Sequence, residues 1–354
     1  MHAVKFGLAA GLFLLAASAS AEPAAPGERL SGIGCTADNR AVDAQGFVRA
    51  GGIEQWVTIR GSDCRNPAIL FVHGGPGNPM SPFSTAIFGS WESDFTIVQW
   101  DQRGSGRTYG RNPPGEDEGL AIERMAEDGI AVAAQVAAAL GQERLILVGT
   151  SWGSALAVHM ALERPELFDS YVGISQLVAG PGNLTASYRA VLDAARSAAD
   201  SETVAALEAL GPPPWANPRN FGIMRRAIRR YEGRSTDPAP GAWWELPPLY
   251  ATPAAASAYE GGEDYSYLQF VGLTGNGMLQ SLDLPALGTT FAIPFFLVQG
   301  AEDLLTVPEV SRRYFESVSA PAKRFVLVPR TGHDPNQAML DAARRLLMER
   351  ASRR

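Results

Sequence analysis

Three short apolar runs constrain this chain more than any other feature: Ala68 to Val72, Phe95 to Trp100 and Leu145 to Val148, each ending in a glycine-rich or polar turn. Strands that stay apolar along their length, instead of alternating, belong to a parallel sheet with both faces covered. Before the third run, Ala121 to Leu140 spaces Ile122, Met125, Ile130, Val132, Val136 and Leu140 among small residues and reads as a helix. Strand, helix, strand is the unit from which parallel α/β sheets are wound. Upstream, Phe47 to Ile59 reads as two short edge strands around Gly51-Gly52, a hairpin signal, followed by a turn at Gly61-Ser62-Asp63.

Further strand signals fall at Val172 to Ile174, Phe295 to Val298 and Phe325 to Val328, and Leu340 to Met348 reads as a closing helix. Between them the character changes. Gly, Pro, Trp and Ala dominate from about residue 176 to 290, and no parallel-strand run appears, which predicts an inserted, mostly helical lid. One sheet interrupted by one lid divides the chain into a first core part (22–175), the lid (176–290) and a second core part (291–354). In the lid, Phe221, Met224, Ile228 and Tyr231 recur at helical spacing with Arg225, Arg226, Arg229 and Arg230 elsewhere. That pattern predicts an amphipathic helix with a solvated face and not an anion site.

With 30 Lys and Arg against 37 Asp and Glu, the net charge of -7 leaves no electrostatic footprint for nucleic acid. Residues 1–21 carry Lys5, an apolar run from Phe6 to Ala17 and then Ala19-Ser20-Ala21, which fits a signal peptide cleaved after Ala21. The competing readings are a buried N-terminal helix or an anchor, but the apolar run is shorter than the roughly 20 residues of a membrane span. The expectation is therefore an exported protein, periplasmic or secreted, with no membrane span in the mature chain. Its only cysteines, Cys35 and Cys64, would then meet an oxidising environment that favours pairing, worth about 3–4 kcal/mol for a loop of this size. The alternative is two inert buried thiols.

Gly149-Thr150-Ser151-Trp152-Gly153 directly follows a strand and opens a helix. This is the pattern of a nucleophile elbow, in which glycines flank a serine held exposed on a tight strand-to-helix turn. A serine hydroxyl needs a base at neutral pH, and beyond the leader the chain offers only His73, His159 and His333. His159 lies inside the elbow helix and reads as a packed core histidine. His73, in His73-Gly74-Gly75-Pro76-Gly77, reads as a brace for that loop. His333, just past the last strand, is the expected general base. Its orienting acid belongs after the penultimate strand, where Gly300-Ala301-Glu302-Asp303 offers Asp303, preferred over Glu302. Asp303 would hold the imidazole tautomer and stabilise the imidazolium. The oxyanion would lie against the backbone N–H groups of Trp152 and Gly75. With no HExxH and no acidic cluster, no metal or other cofactor is expected.

The combination of His73-Gly74-Gly75-Pro76-Gly77, Asp101-Gln102-Arg103-Gly104-Ser105-Gly106, Gly149-Thr150-Ser151-Trp152-Gly153, Asp303 and Gly332-His333 resembles the prolyl iminopeptidase family of α/β-hydrolases. The resemblance covers the sheet-forming parts and thins in the lid. It implies the α/β-hydrolase fold, a mostly parallel sheet with helices on both faces and a helical lid. It also implies release of an N-terminal residue, usually proline, from small peptides. An aminopeptidase must hold the substrate's ammonium with fixed carboxylates. Between Gly241 and Phe270 the chain has Glu245, Glu260, Glu263 and Asp264 and no Lys or Arg. Trp243-Trp244-Glu245 looks like the family's lid glutamate, and Glu263 is the second expected anchor, with Glu260 and Asp264 nearby; all of these could equally be solvated surface acids. Tyr250, Tyr259, Tyr265, Tyr267 and Phe270 are candidates for an apolar pocket or for core. A lidded carboxylesterase or amidase acting on another small molecule is the nearest alternative, and a silent binding protein on the same scaffold a more distant one.

Overall fold

The computed structural model describes residues 29, 30, 33, 35, 36, 40–115 and 118–352; the expected leader lies outside the described residues. The hairpin at Gly51-Gly52 joins β1 (Val42–Ala50) to β2 (Ile53–Gly61), both turn glycines having positive φ, as a two-residue hairpin turn requires. The wholly buried apolar runs become β3 (Ala68–Val72), β4 (Thr96–Trp100), β6 (Phe168–Ile174) and β7 (Phe295–Gly300). β5 (Leu145–Thr150) and β8 (Lys323–Val328) complete an eight-stranded sheet in the order β1-β2-β4-β3-β5-β6-β7-β8. Neighbours from β4 through β8 are parallel.

The hairpin expectation needs one correction. Of its two strands only β1 lies at an edge of the sheet; β2 also pairs antiparallel with β4, from Val57 opposite Trp100 to Arg60 opposite Ile97. Covering on both sides explains why β2 is buried almost throughout while β1 alternates.

Before the lid come α1 (Ser84–Phe88), α2 (Gly106–Arg111), α3 (Ile122–Leu140) and α4 (Trp152–Glu163). Between β6 and β7 the described helices are α5 (Gly180–Ser197), α6 (Ser201–Leu210), α7 (Pro218–Ser235), α8 (Pro253–Val271), α9 (Met278–Ser281) and α10 (Leu284–Leu287). α11 (Pro308–Ser317) follows β7, and α12 (Gln337–Ala351) closes the chain.

Period-two alternation splits the strand side chains between two cores. Leu70, Val72 and Leu147 face α3 and α4, while Ile69, Phe71 and Val148 face Phe88 of α1 and Leu346 and Leu347 of α12. A third core lies within the lid, where Val191 of α5, Leu207 of α6 and Met224 and Ile228 of α7 meet. The lid leaves and rejoins the sheet domain at one neck, where Gly180 N donates to Leu282 O and Leu284 N to Val178 O, each at 2.9 Å. An insertion whose ends are pinned together can form its own core without disturbing the sheet that carries it. No described helix is long and apolar enough to cross a membrane.

Cys35 and Cys64 are joined, with Cα atoms 5.8 Å apart across a separation of 29 residues. The bond ties the segment before β1 to the turn after β2. A Cys35→Ser variant is expected to lose about 2–4 kcal/mol of stability. The check is the Tm of wild type with and without reductant beside that of the variant; an unchanged Tm in all cases would refute it.

Candidate active site

Ser151 follows β5 and caps α4 at φ 51° and ψ -122°, a conformation that side-chain-bearing residues adopt only under constraint. The constraint is crowding. A Cβ on Gly153 would run into the carbonyl oxygens of Val72 and His73 at the end of β3, and one on Gly149 would strike Gly153 O. The turn is pinned further by Ser151 N donating to Ile174 O at 2.9 Å and Ser154 Oγ donating to Ser151 O at 2.5 Å. The serine hydroxyl is thereby aimed away from the sheet, beyond its carboxyl edge.

His333, on the loop after β8, brings Nε2 to 2.9 Å from Ser151 Oγ and Nδ1 to 3.1 Å from Asp303 Oδ2. Ser175 Oγ, donating to His333 O at 2.7 Å, anchors the loop from the end of β6. The Asp303 carboxylate is fully engaged: Oδ1 accepts from the amides of Leu305 and Thr306, and Oδ2 from Gln299 Nε2 and Thr306 Oγ1. Burial alone would raise the Asp303 pKa, but the His333 charge, the hydrogen bond to it and the Thr306 donors hold it below its usual value. Burial likewise works against the imidazolium of His333, yet the charge and hydrogen bond of Asp303 prevail and raise its pKa. Glu302 faces elsewhere, accepting from Thr331 N at 2.8 Å.

The other two histidines do different work. His73 Nδ1 donates to Gly74 O at 2.9 Å, and Nε2 accepts from Gln102 N at 3.2 Å. With no carboxylate beside it, burial pushes its pKa down to about 4, so it is a neutral brace between two glycine loops. His159 is half-buried on α4, not a core residue as expected. Gln102 extends the brace, donating from Nε2 to His73 O and accepting from Trp152 Nε1. Arg103 completes it with a bidentate pair to Asp128, at 2.7 and 3.0 Å. The amide of Trp152, first in α4, has no intrahelical acceptor by position. Gly75 adopts φ 110° in the adjoining loop, and Gly74 packs so closely that a Cβ there would sit 3.2 Å from Ser151 Cβ.

Ser151 and His333 open into a cavity of about 750 Å³ between sheet and lid, within the usual range for small-molecule sites. Its walls include Phe71 and Phe88 from below and Tyr259, Tyr267 and Phe270 from α8. Two of the five expected aromatics lie elsewhere: Tyr250 accepts from Trp56 Nε1, and Tyr265 donates to Glu118 O.

The structure separates the two expected lid acids. Glu263 lines the cavity beside the glycine loop, its Oε1 accepting from Asn78 Nδ2 at 2.8 Å, with Asp264 next to it. Burial and the nearby Glu263 charge push the Tyr259 pKa to about 12. Glu245 is exposed and does not line the cavity. The reason is local: Trp243 buries itself against the sheet domain and Trp244 turns to Phe83, which leaves the next residue facing solvent. α7 is amphipathic as expected, with Phe221, Met224, Ile228 and Tyr231 buried and Arg226, Arg229 and Arg230 exposed, but its polar face also reaches the cavity. Arg225, Arg226 and Arg229 line the cavity together with Gly222, one stripe of the helix.

Sequence reasoning missed Glu232. This buried α7 residue accepts from Leu304 N at 2.8 Å and from His333 N at 3.2 Å, joining the loops that carry Asp303 and His333. Burial and the neighbouring Asp303 raise its pKa. Its only sequence signal was a glutamate among the apolar positions of an amphipathic helix. Among the described residues, no group of three or more His, Cys, Asp or Glu is placed to hold a metal ion.

A family model described as alpha/beta hydrolase fold matches residues 67–336. Over 293 residues the chain is 28% identical to a probable aminopeptidase of Bacillus subtilis (strain 168), spanning 81% of this chain and 89% of that protein. It is 26% identical over 299 residues to a probable proline iminopeptidase of Streptomyces coelicolor, spanning 79% and 85%. The structure superposes on the crystal structure of a proline iminopeptidase of Mycobacterium smegmatis with a TM-score of 0.58 at 18% identity, covering 87% of this chain and 98% of that one. That last likeness shows the fold.

Two expectations follow from this geometry. Labelling of Ser151 by a fluorophosphonate requires neutral His333, so its rate should rise with pH through a midpoint above the ordinary 6.5. A midpoint at or below that value would mean that Asp303 does not govern the imidazole. Glu232→Ala leaves two buried amides unpaired, at roughly 1–3 kcal/mol each. It should therefore lower both Tm and labelling rate, and a variant unchanged in both would remove Glu232 from the site's framework.

Proposed function

The chain belongs to the α/β-hydrolase family, and from that premise we propose that it is a serine aminopeptidase releasing the N-terminal residue, preferably proline, from peptides through an acyl-enzyme. One observation carries the reading: the hydrogen-bonded line Ser151, His333, Asp303 opens into the same cavity that holds a carboxylate, Glu263, beside the glycine loop. The names of the relatives from Bacillus and Streptomyces support it.

In this mechanism Ser151 Oγ attacks the carbonyl carbon while its proton passes to His333 Nε2. Asp303 holds Nδ1 and stabilises the imidazolium. Negative charge gathers on the carbonyl oxygen, against the amides of Gly75 and Trp152, at the positive end of α4. Collapse breaks the C–N bond, and His333 gives the proton to the leaving amine. Water, deprotonated by His333 in turn, then frees the N-terminal residue and restores Ser151. Glu263, with Asp264 beside it, anchors the substrate ammonium; Glu245 has no part in this scheme. Export to the periplasm or medium belongs to the same proposal, supported by the paired Cys35 and Cys64.

The apolar cavity walls favour one competing use of the machinery, hydrolysis of a carboxylic ester with no free amine. Proline p-nitroanilide, its N-blocked analogue and p-nitrophenyl butyrate, assayed side by side, separate the two. The expected result is turnover of the free-amine substrate well above the blocked one, with Glu263→Gln raising KM more than it lowers kcat. Turnover of the butyrate alone would overturn the aminopeptidase. Ser151→Ala is expected to reduce kcat by roughly a millionfold, with Tm nearly unchanged.

A further inference from the structure

Helix α7 carries two kinds of arginine. Of those that do not line the cavity, Arg230 pairs with Asp200 and reaches Thr203 Oγ1 at 2.9 Å, Arg234 lies 4.9 Å over the Tyr231 ring, and Arg219 is exposed. Those that line the cavity, Arg225 half-buried and Arg226 and Arg229 exposed, form no ion pair or side-chain hydrogen bond with any other described residue. Like charges one helical turn apart, as in Arg225 and Arg229, repel and destabilise the helix. A stripe of this kind on the wall of a substrate cavity is compensated when an anion enters, and the planar guanidinium fork suits a carboxylate.

With the ammonium assigned to Glu263, the direction of the peptide leaves to the stripe the part beyond the scissile bond. Glu263 and Asn78 stand beside the Gly74–Gly77 loop, on the side of the acyl group and its ammonium. The leaving amine must collect its proton from His333 Nε2, so the leaving group extends past His333. Arg225 lines the same cavity as His333 and Tyr267. After burial and the opposing pull of Asp303, its charge weighs against protonation of His333, and it also acts on Tyr267. Carboxylates from α8 and guanidinium groups from α7 thus line one cavity.

We infer that Arg225, Arg226 and Arg229 form a carboxylate subsite on the leaving-group side of Ser151, selecting short peptides that carry a carboxylate just beyond the scissile bond. This rests on the aminopeptidase reading and adds the substrate class to it. The carboxylate has two available sources, the C-terminus of a dipeptide or tripeptide and an acidic side chain following the cleaved bond. At about 750 Å³ the cavity suits a peptide of that length.

The test compares kcat/KM for Pro-Ala, Pro-Ala-amide and Pro-Asp-amide in wild type, Arg229→Gln, Arg229→Lys and Arg225→Gln. Wild type should prefer Pro-Ala over its amide by at least about tenfold, mainly through KM. Each glutamine variant should bring that ratio toward one, while Arg229→Lys keeps part of it. A ratio restored by Pro-Asp-amide would assign the subsite to acidic side chains as well as C-termini; no gain with that substrate would restrict it to the C-terminus, and either result upholds a carboxylate subsite. Equal rates on Pro-Ala and its amide in wild type would overturn the subsite and leave the aminopeptidase standing. No turnover of any free-amine peptide, with p-nitrophenyl butyrate still cleaved, would overturn both.

Discussion

The close approach of three main-chain segments at the carboxyl edge of the sheet governs everything else in the site. The first turn of α4 lies directly against the end of β3, with no room for even one carbon on Gly153. That contact forces Ser151 into its positive-φ turn, lifts the hydroxyl clear of the strands and places the start of α4 beside the Gly74–Gly77 loop. The strain of such a turn, of order 1–3 kcal/mol, is sustained because its surroundings are anchored independently. Gln102 ties the β3 loop to the Trp152 indole, and Arg103 with Asp128 ties the β4 loop to α3.

Two buried histidines show how environment assigns roles to identical side chains. Both are desolvated, which disfavours the charged ring. His73 has only neutral hydrogen-bond partners and stays neutral as part of the scaffold. His333 meets a carboxylate saturated with donors, which cannot easily give up its charge, and is poised to accept a proton. The difference lies in the second partner, not in depth of burial.

The lid is more than a cover. Ser266 of α8 donates to Gly104 O, Phe270 stands edge-on to Trp152 at 5.3 Å, and Glu232 of α7 holds the amides of Leu304 and His333. A movement of α7 would be felt by the loops that carry His333 and Asp303. The same helix lines the cavity with Arg225, Arg226 and Arg229, so the element that holds these loops also adds charge to the cavity.

The sequence by itself determined the sheet and its interruption and singled out Ser151, His333 and Asp303, which lie in one hydrogen-bonded line, because each depends on local rules. Continuous apolar runs mark buried parallel strands, glycines mark turns where backbones touch, and the three histidines left after the leader make a short search. Sequence alone misplaced what depends on how helices rotate and pack. Glu245 sat in a fitting local pattern, but the burial of Trp243 turned it to solvent, while Glu263 found Asn78 across 185 residues of chain. The arginines of α7 read as a solvated face because an amphipathic pattern separates apolar from polar and cannot say whether the polar side meets bulk water or a cavity. Arg226 and Arg229 are exposed as that pattern implies, and only the tertiary structure, by docking the lid over the sheet edge, made the same face line the cavity as well.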